Sequence, residues 1–326
     1  MEDDIRLGVL LPTGQAQWGE GTDPRRLTDF AVRAERLGYA SVWTNDSLVT
    51  PRIEALVMLA TAAAVTEGVT LGTATLMPVL RRPVQAAQSL ASLDLMSGGR
   101  LTVAVGAGFP GRFGRPLHEL SEVPWEGRFA RLDDTVALWR HIWSNREPSS
   151  YRGPVLRFEE LPAGIAPYRP GGPPIWLGGA TPAALARTGR LYDGWLPYPP
   201  DPAGYGTGLA AVREAAAGAG RDPMALTAGL FATLLVTDDE EAGMRDLAEY
   251  TRAVYGMTPE EAQRIQLVAA GSPSSLADRL RPYVEAGARH IVCRIGVLDL
   301  RSQLEQLERI AELGKTLNAL RPEYAA

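Results

Sequence analysis

Cysteine occurs once in the 326 residues, at Cys293, which rules out an internal disulfide framework and any metal site built on several thiolates. Histidine is almost as scarce, with only His118, His141 and His290, and no H-E-x-x-H pair or metal-like histidine cluster appears, so no metal is expected. Lysine occurs only at Lys315 while arginine and alanine abound, a compositional bias rather than a functional signal. No apolar run reaches the roughly 18 residues of a membrane span. The opening MEDDIRLGVLL carries acid where a signal peptide carries base, so a cytoplasmic chain with no membrane partner is expected. A net charge of -5 argues against a nucleic-acid partner. A Walker loop and a G-x-S-x-G elbow are also missing.

What is present is an ordinary globular composition, 45% hydrophobic and 22% charged, patterned as alternating strands and helices. Strands are expected at 5–11, 40–44, 69–76, 101–105, 175–177, 194–196, 226–236 and 290–295. Helices are expected from Pro24 with Asp23 as N-cap, over 53–66, from Pro83 to Met96, over 128–143, from Pro182, from Ser272-Pro273 and over 300–320. Residues 109–124 and 145–172 read as irregular excursions, and 239–270 as helical. Eight units with right-handed crossovers imply an α/β fold, a closed (β/α)8 TIM barrel. Its excursions follow strand four, precede strand five and follow strand seven, and residues 1–326 form a single domain.

Two segments invite chemistry. Val69 to Pro110 is a complete β-loop-α-loop-β unit whose second strand opens into Gly106-Ala107-Gly108. Small residues at strand carboxyl ends let a ligand approach the backbone, although tight turns alone also explain them. In residues 173–197, Gly178-Gly179 follows a strand, Thr181 suits an N-cap and Pro182 a first turn, so free amides and a helix dipole converge. A phosphate site and an ordinary barrel loop are both compatible with that spacing. The formal G-x-G-x-x-G match at 106–111 lacks a helix directly after it, because Pro110 and the Arg112 to Pro116 stretch intervene; dinucleotide binding is not expected there.

The runs LGTATLMPVLRRPVQAAQSLASLDLMSGGRLTVAVGAG, WLGGATPAALARTGRLYDGW and GSPSSLADRLRPYVEAGARHIVCRI, in this order, resemble the luciferase-like monooxygenase superfamily of flavin-dependent oxidoreductases. The resemblance implies a barrel that binds FMN, or the deazaflavin coenzyme F420, at the strand carboxyl ends, and often a homodimer. It places a non-prolyl cis peptide at Ala74-Thr75 and makes Thr73, Ala74, Thr75, Leu76 and Met77 cofactor residues. Gly106, Ala107 and Gly108 would face the ring, while Gly178, Gly179, Ala180 and Thr181 would take the phosphate. Many deazaflavin-using relatives have Asp-His after strand two, where this chain has Asp46-Ser47. Sugar-phosphate dehydrogenases of that group carry a glutamate where this chain has Phe109. Both departures count against that activity.

Few residues suit acid-base work. His118 lies in the loop after strand four and is a proton-transfer candidate or a solvated loop histidine. Asp46 orients substrate or caps its loop. Arg294, near the end of strand eight, binds an anionic substrate or cofactor group, or pairs with a neighbouring carboxylate. Trp18, Trp43, Trp195, Tyr198 and Phe109 are expected to border the mouth and touch substrate. Trp139, Trp143, His141 and His290 read as structural, and Asp133-Asp134 as a solvated helix face or a favourable helix start. The expected activity is FMN-dependent monooxygenation of a small organic substrate, with reduced FMN from a separate flavin reductase. Alternatives are hydride transfer with F420 and a catalytically silent flavin-binding protein.

Overall fold

The computed structural model describes residues 4–109, 111, 114–198 and 201–319. The first half of the chain runs β1 (Arg6–Leu10), α1 (Leu27–Arg36), β2 (Ser41–Thr44), α2 (Ala55–Val65), β3 (Thr70–Leu76), α3 (Pro83–Met96) and β4 (Leu101–Val105). An excursion follows, with α4 (Arg115–Leu120), α5 (Arg128–Ser144), β5 (Ser149–Arg152) and β6 (Arg157–Leu161). The second half has β7 (Ile175–Leu177), α6 (Pro182–Leu191), β8 (Gly194–Trp195), α7 (Pro202–Gly218), β9 (Thr227–Val236), α8 (Glu240–Tyr255) and α9 (Pro259–Gln263). It closes with β10 (Leu267–Gly271), α10 (Pro273–Glu285), β11 (His290–Ile295) and α11 (Leu300–Ala319).

Parallel pairing runs β1-β2-β3-β4-β7-β8-β9-β11 and returns to β1, which closes an eight-stranded barrel inside its helices. This is the (β/α)8 fold expected from the alternation. Strand β10 lies outside the closed ring. It pairs with Ala232–Val236 of β9, beyond the point where β8 has paired with Thr227 and Ala228.

Four expectations change. Residues 109–124 are not irregular throughout, since α4 forms over Arg115–Leu120. Residues 239–270 are not wholly helical: Gly256 ends α8 in the left-handed region, Thr258 and Glu261 form a capping box for α9, and the buried apolar run from Leu267 becomes β10. Within 145–172 an antiparallel hairpin, β5-β6, forms where irregular chain was expected. Asp133 and Asp134 are not a solvated face. Asp134 accepts from the amides of Val155 and Leu156 (2.8 and 2.6 Å) and from the Tyr151 hydroxyl (2.6 Å), while Asp133 accepts from Arg187 and the Tyr192 hydroxyl. These carboxylates fasten the hairpin and α6 to α5.

The barrel interior is built from alternate residues. Leu10, Trp43, Ala74, Ala104, Trp176, Leu196, Phe231 and Val292, one from each barrel strand or its immediate end, form a separate buried cluster. Two indoles fit because facing positions are glycine: a Cβ at Gly72 would fall 2.1 Å from Trp43, and one at Gly194 would fall 2.5 Å from Trp176. Outward residues pack under the helices in a second, larger core that includes Cys293, whose thiol burial pushes up to about 12 and leaves unreactive.

His290 lies below the indoles, with Nε2 2.7 Å from Ser41 Oγ and its ring edge-on to Trp43 and Trp176. Burial pushes its pKa down from 6.5 to about 3. The unfolded chain therefore takes up a proton near pH 6.5 that the folded barrel refuses, and stability falls as pH drops through that range. The limiting slope is about 1.4 kcal/mol per pH unit, so about 2 kcal/mol should be lost from this group by pH 5. Urea unfolding of wild type and His290→Gln at pH 7 and pH 5 checks this: the variant should be less pH-sensitive, and equal sensitivity would contradict a buried neutral imidazole.

Candidate active site at the barrel mouth

At the carboxyl ends of β3, β4 and β7, three small-residue segments meet around one side chain. The Ala74-Thr75 peptide is cis, and the β3-β4 register shifts between Thr73 and Leu76. Thr75 emerges half-buried among buried neighbours. A Cβ at Gly106 would approach Thr75 Oγ1 to 2.9 Å, and one at Gly178 would approach Thr75 Cγ2 to 3.2 Å. Backbone bonds lock the arrangement: Gly106 N donates to Leu76 O (2.9 Å) and Gly178 N to Val105 O (3.0 Å). Glycine at both positions lets the three strand ends draw in around Thr75 as a cradle of small residues.

Beside this cradle, Gly179 turns with φ +100 and residues 179–183 are exposed. Thr181 caps α6 by accepting from Ala184 N (3.3 Å), and Pro182 occupies the first turn. Pro182 carries no N–H and Ala184 N is engaged by the cap, so within the first turn the Ala183 amide is left at the positive end of the helix, which suits an anion. A planar ring on the cradle with a phosphate at residues 179–181 fits these residues. Among the described residues no group of three or more His, Cys, Asp or Glu side chains converges as a metal site requires.

Only part of the expected cofactor run faces the mouth. Thr73 is buried and donates from Oγ1 to Ala104 O (2.8 Å), Ala74 belongs to the barrel interior, and Leu76 and Met77 are buried. Thr75 alone of the five reaches the cradle. Ala107 is buried, Gly108 turns with φ +93, and Phe109 is 42% exposed at the rim.

Both acid-base candidates are committed elsewhere. Asp46 is a clamp: Oδ2 accepts from Met77 N (3.0 Å) and Arg81 Nη1 (2.5 Å), and Oδ1 from Arg81 Nη2 (3.1 Å). Arg81 also donates to Glu54, so this carboxylate ties the end of β2 to the turn after β3. His118, 1% exposed, lies on α4 with Nε2 3.2 Å from Ala107 O and Nδ1 3.1 Å from Pro124 O, its ring edge-on to Trp125. It is not solvated; it staples the excursion onto the end of β4.

The aromatic candidates separate in the same way. Trp43 is fully buried in the barrel and donates to Ser41 Oγ (2.6 Å). Trp195 points outward, donating to Gly179 O (2.8 Å) and stacking on Tyr205 of α7, so it supports the anion loop from behind. Trp18 packs against the outer core. Tyr198 does face inward, 4.7 Å from Phe231. Arg294 lies with it, 3% exposed, its guanidinium 4.9 Å over Phe231 and 5.0 Å over Tyr255. No ion pair engages Arg294 among the described residues, which removes the neighbouring-carboxylate reading.

Sequence reasoning missed Arg52, Tyr250 and Gln17. Arg52 follows β2 and bridges to Gly14 in the loop after β1, while Gln17 of that loop donates to the Tyr250 hydroxyl (3.1 Å). Burial, then the charge of Arg294, pushes Arg52 down to about 10. Burial raises the Tyr250 phenol, and Arg294 and Arg52 pull it back. No spacing in the sequence relates positions 52, 250 and 294; only barrel closure does.

The sequence model of the luciferase-like monooxygenase family matches residues 5–290. The chain belongs to this family. An F420-dependent glucose-6-phosphate dehydrogenase of Kineococcus radiotolerans is 30% identical over 321 residues, covering 87% of this chain and 91% of that protein. Among solved structures, an F420-dependent secondary alcohol dehydrogenase in complex with an F420-acetone adduct superposes with a TM-score of 0.76 at 19% identity, covering 96% of this chain and 99% of that one. A monooxygenase from Streptomyces bottropensis superposes with a TM-score of 0.77 at 22% identity, covering 98% and 100%. This member of the luciferase-like family is an oxidoreductase.

Proposed function

We propose that this luciferase-like protein is an F420-dependent oxidoreductase that exchanges a hydride with a small organic substrate. The observation carrying this reading is the near full-length similarity to an F420-dependent dehydrogenase, on a chain whose β3, β4 and β7 ends bring Thr75, Gly106 and Gly178 together. When bound, the coenzyme supplies hydride transfer at C5 without oxygen. The protein's part is to seat the ring against Thr75, Gly106 and Gly178, to hold phosphate on the amides of 179–181, and to exclude water with Phe109 and Tyr198. The Asp46-Arg81 clamp and His118 fix the two walls and leave proton exchange to the substrate side of the mouth.

Sugar phosphate is not the substrate in this proposal. Ser47 takes the place of the expected histidine and accepts from Val49 N (3.2 Å), and Phe109 takes the place of the expected glutamate. The likeness in fold to a monooxygenase favours a second reading, FMN-dependent oxygenation supported by a separate flavin reductase. The proposal extends to a cytoplasmic homodimer comprising one barrel domain per chain.

Fluorescence titration with F420 and FMN, with mass analysis of ligand released by heating, tests the choice. F420 should bind at least about tenfold more tightly than FMN, a difference of about 1.4 kcal/mol. Reversible oxidation and reduction of bound F420 should proceed without oxygen. Copurified FMN together with oxygen consumption on adding reduced FMN would replace this reading with the second one.

A further inference from the structure

The mouth holds two arginines that no feature of the cofactor cradle uses. Arg294 is 3% exposed, with Nε and Nη1 both buried and without a hydrogen-bond partner. Arg52 is half-buried; it donates to Thr50 Oγ1 from Nε and Nη2, and its Nη1 is buried without a partner. Among the described residues neither enters an ion pair. A buried guanidinium without counter-charge is costly, and each unsatisfied donor calls for a cause.

A connected set of contacts joins the two positions. Arg52 bridges to Gly14, the same loop sends Gln17 to the Tyr250 hydroxyl, Tyr250 meets Tyr255 edge-on at 6.4 Å, and the Tyr255 ring lies under Arg294. The Tyr255 hydroxyl is likewise buried without a partner. The ring of strands places this group on the β9-β11-β1-β2 side, whereas Thr75, Gly106 and Gly178 occupy β3, β4 and β7 on the other side. The pair therefore faces the cradle across the mouth and is separate from the phosphate amides at 179–181.

We infer that Arg52 and Arg294 form an oxyanion subsite, and that the substrate carries a carboxylate or phosphate group seated between them with Tyr255 as a further donor. The apolar faces of Phe231 and Tyr255 shield this group from water, so the guanidiniums bind more strongly than they would in solvent. A bound oxyanion satisfies the orphaned Nε and Nη1 donors and fixes the end of the substrate remote from the reacting carbon. The inference adds a substrate class to the F420 reading above and rests on that reading only for the position of the reacting carbon.

The test uses the full chain without coenzyme, so the outcome does not depend on which flavin binds. Thermal unfolding is followed with inorganic phosphate, with benzoate, and with chloride at equal ionic strength. Wild type should be stabilised by phosphate or benzoate beyond chloride, and the stronger of the two in the Gly178→Asp background identifies the group. Arg294→Gln and Arg52→Gln should each weaken that binding by about tenfold or more, the scale of a lost hydrogen bond to a charged group. Surface Arg309→Gln should not weaken it. Gly178→Asp, which closes the phosphate loop, should remove only that loop's share of the phosphate effect and leave the benzoate effect in place.

Arg294→Met provides a readout that a structural role would move the other way. Removing an unpaired buried charge should raise the unfolding temperature of the ligand-free protein while abolishing the anion effect. A lowered unfolding temperature with an unchanged anion effect overturns the inference. So does an anion effect absent in wild type, or one lost in Gly178→Asp and kept in Arg294→Gln. An anion effect that behaves as expected in a protein that binds no F420 would sink the coenzyme reading and leave the subsite standing.

Discussion

Gly72→Ala should destabilise the barrel by about 3 kcal/mol or more, the upper end of what overpacking a core costs. A methyl at this position would fall 2.1 Å from Cε3 and 2.4 Å from Cδ2 of Trp43. The indole has nowhere to go. Its Nε1 is held by Ser41 Oγ at 2.6 Å, its other face meets Trp176 at 5.3 Å, and on the β1 side a Cβ at Gly8 would already fall 2.7 Å from Nε1. Coupling to the indole is the decisive measurement. Trp43→Phe alone should destabilise by leaving a cavity, yet in the Gly72→Ala background it should restore stability, a reversal of sign that reports direct contact. Urea midpoints of the two single variants and the double variant check it; additive losses would mean that Trp43 does not fill the space above Gly72.

Why Trp43 was legible as a strand residue but not as core follows from the same geometry. Alternation along β2 tells that Trp43 and Ser41 share a face, and a barrel gives that face to its interior. Whether an inward side chain lies deep or at the mouth depends on the stagger of neighbouring strands, which no local pattern reports. Trp195 illustrates the other ambiguity. One residue of shift in β8 exchanges inside for outside, and the two-residue strand Gly194–Trp195 is too short to reveal its own phase. The repeats, their caps at Asp23, Thr181 and Ser272, and the Ala74-Thr75 bond were readable, the first from periodicity and the last from resemblance. Strand β10 was not. Its five residues, LVAAG, are as compatible with a buried helix as with a strand, and only the free edge of β9 beyond Ala228 selects between them.

The site shows a consistent division between residues that chemistry would use and residues that hold them. Titratable side chains near the cofactor walls, Asp46 and His118, are consumed by the backbone of the turns they brace. Sequence can nominate such residues because their type suits catalysis, but only the partner atoms reveal that the carboxylate lone pairs of Asp46 and the ring N–H of His118 are already engaged. The guanidiniums that enter no ion pair among the described residues lie elsewhere, at Arg52 and Arg294, some 240 positions apart in the chain by the difference of their numbers. With the proposed hydride donor on one side of the mouth and the two arginines on the other, a substrate would be fixed by its charged end and its reactive end left free.

Gly178→Asp should lower coenzyme affinity by about 100-fold or more, near 2.7 kcal/mol, while leaving the fold intact. The position tolerates a side chain sterically, since the nearest neighbours of an added Cβ are Thr75 Cγ2 at 3.2 Å and the carbonyls of Leu196 and Val105 at 3.6 Å. A small shift of the threonine methyl relieves the closest contact. Two effects then act on the ligand. The carboxylate projects into the cradle where the ring must lie, and its charge stands at the entrance to the amides of 179–181, where it repels the phosphate and competes for the same donors. Gly178→Ala separates them, because it adds bulk without charge and should cost tenfold or less. Raising salt should recover part of the affinity of the aspartate variant and little of the alanine variant, since only a charge repulsion is screened. Fluorescence titration at two ionic strengths, with unfolding temperatures as the control for folding, distinguishes these outcomes; equal affinities for wild type and Gly178→Asp would place the coenzyme outside the β3-β4-β7 cradle.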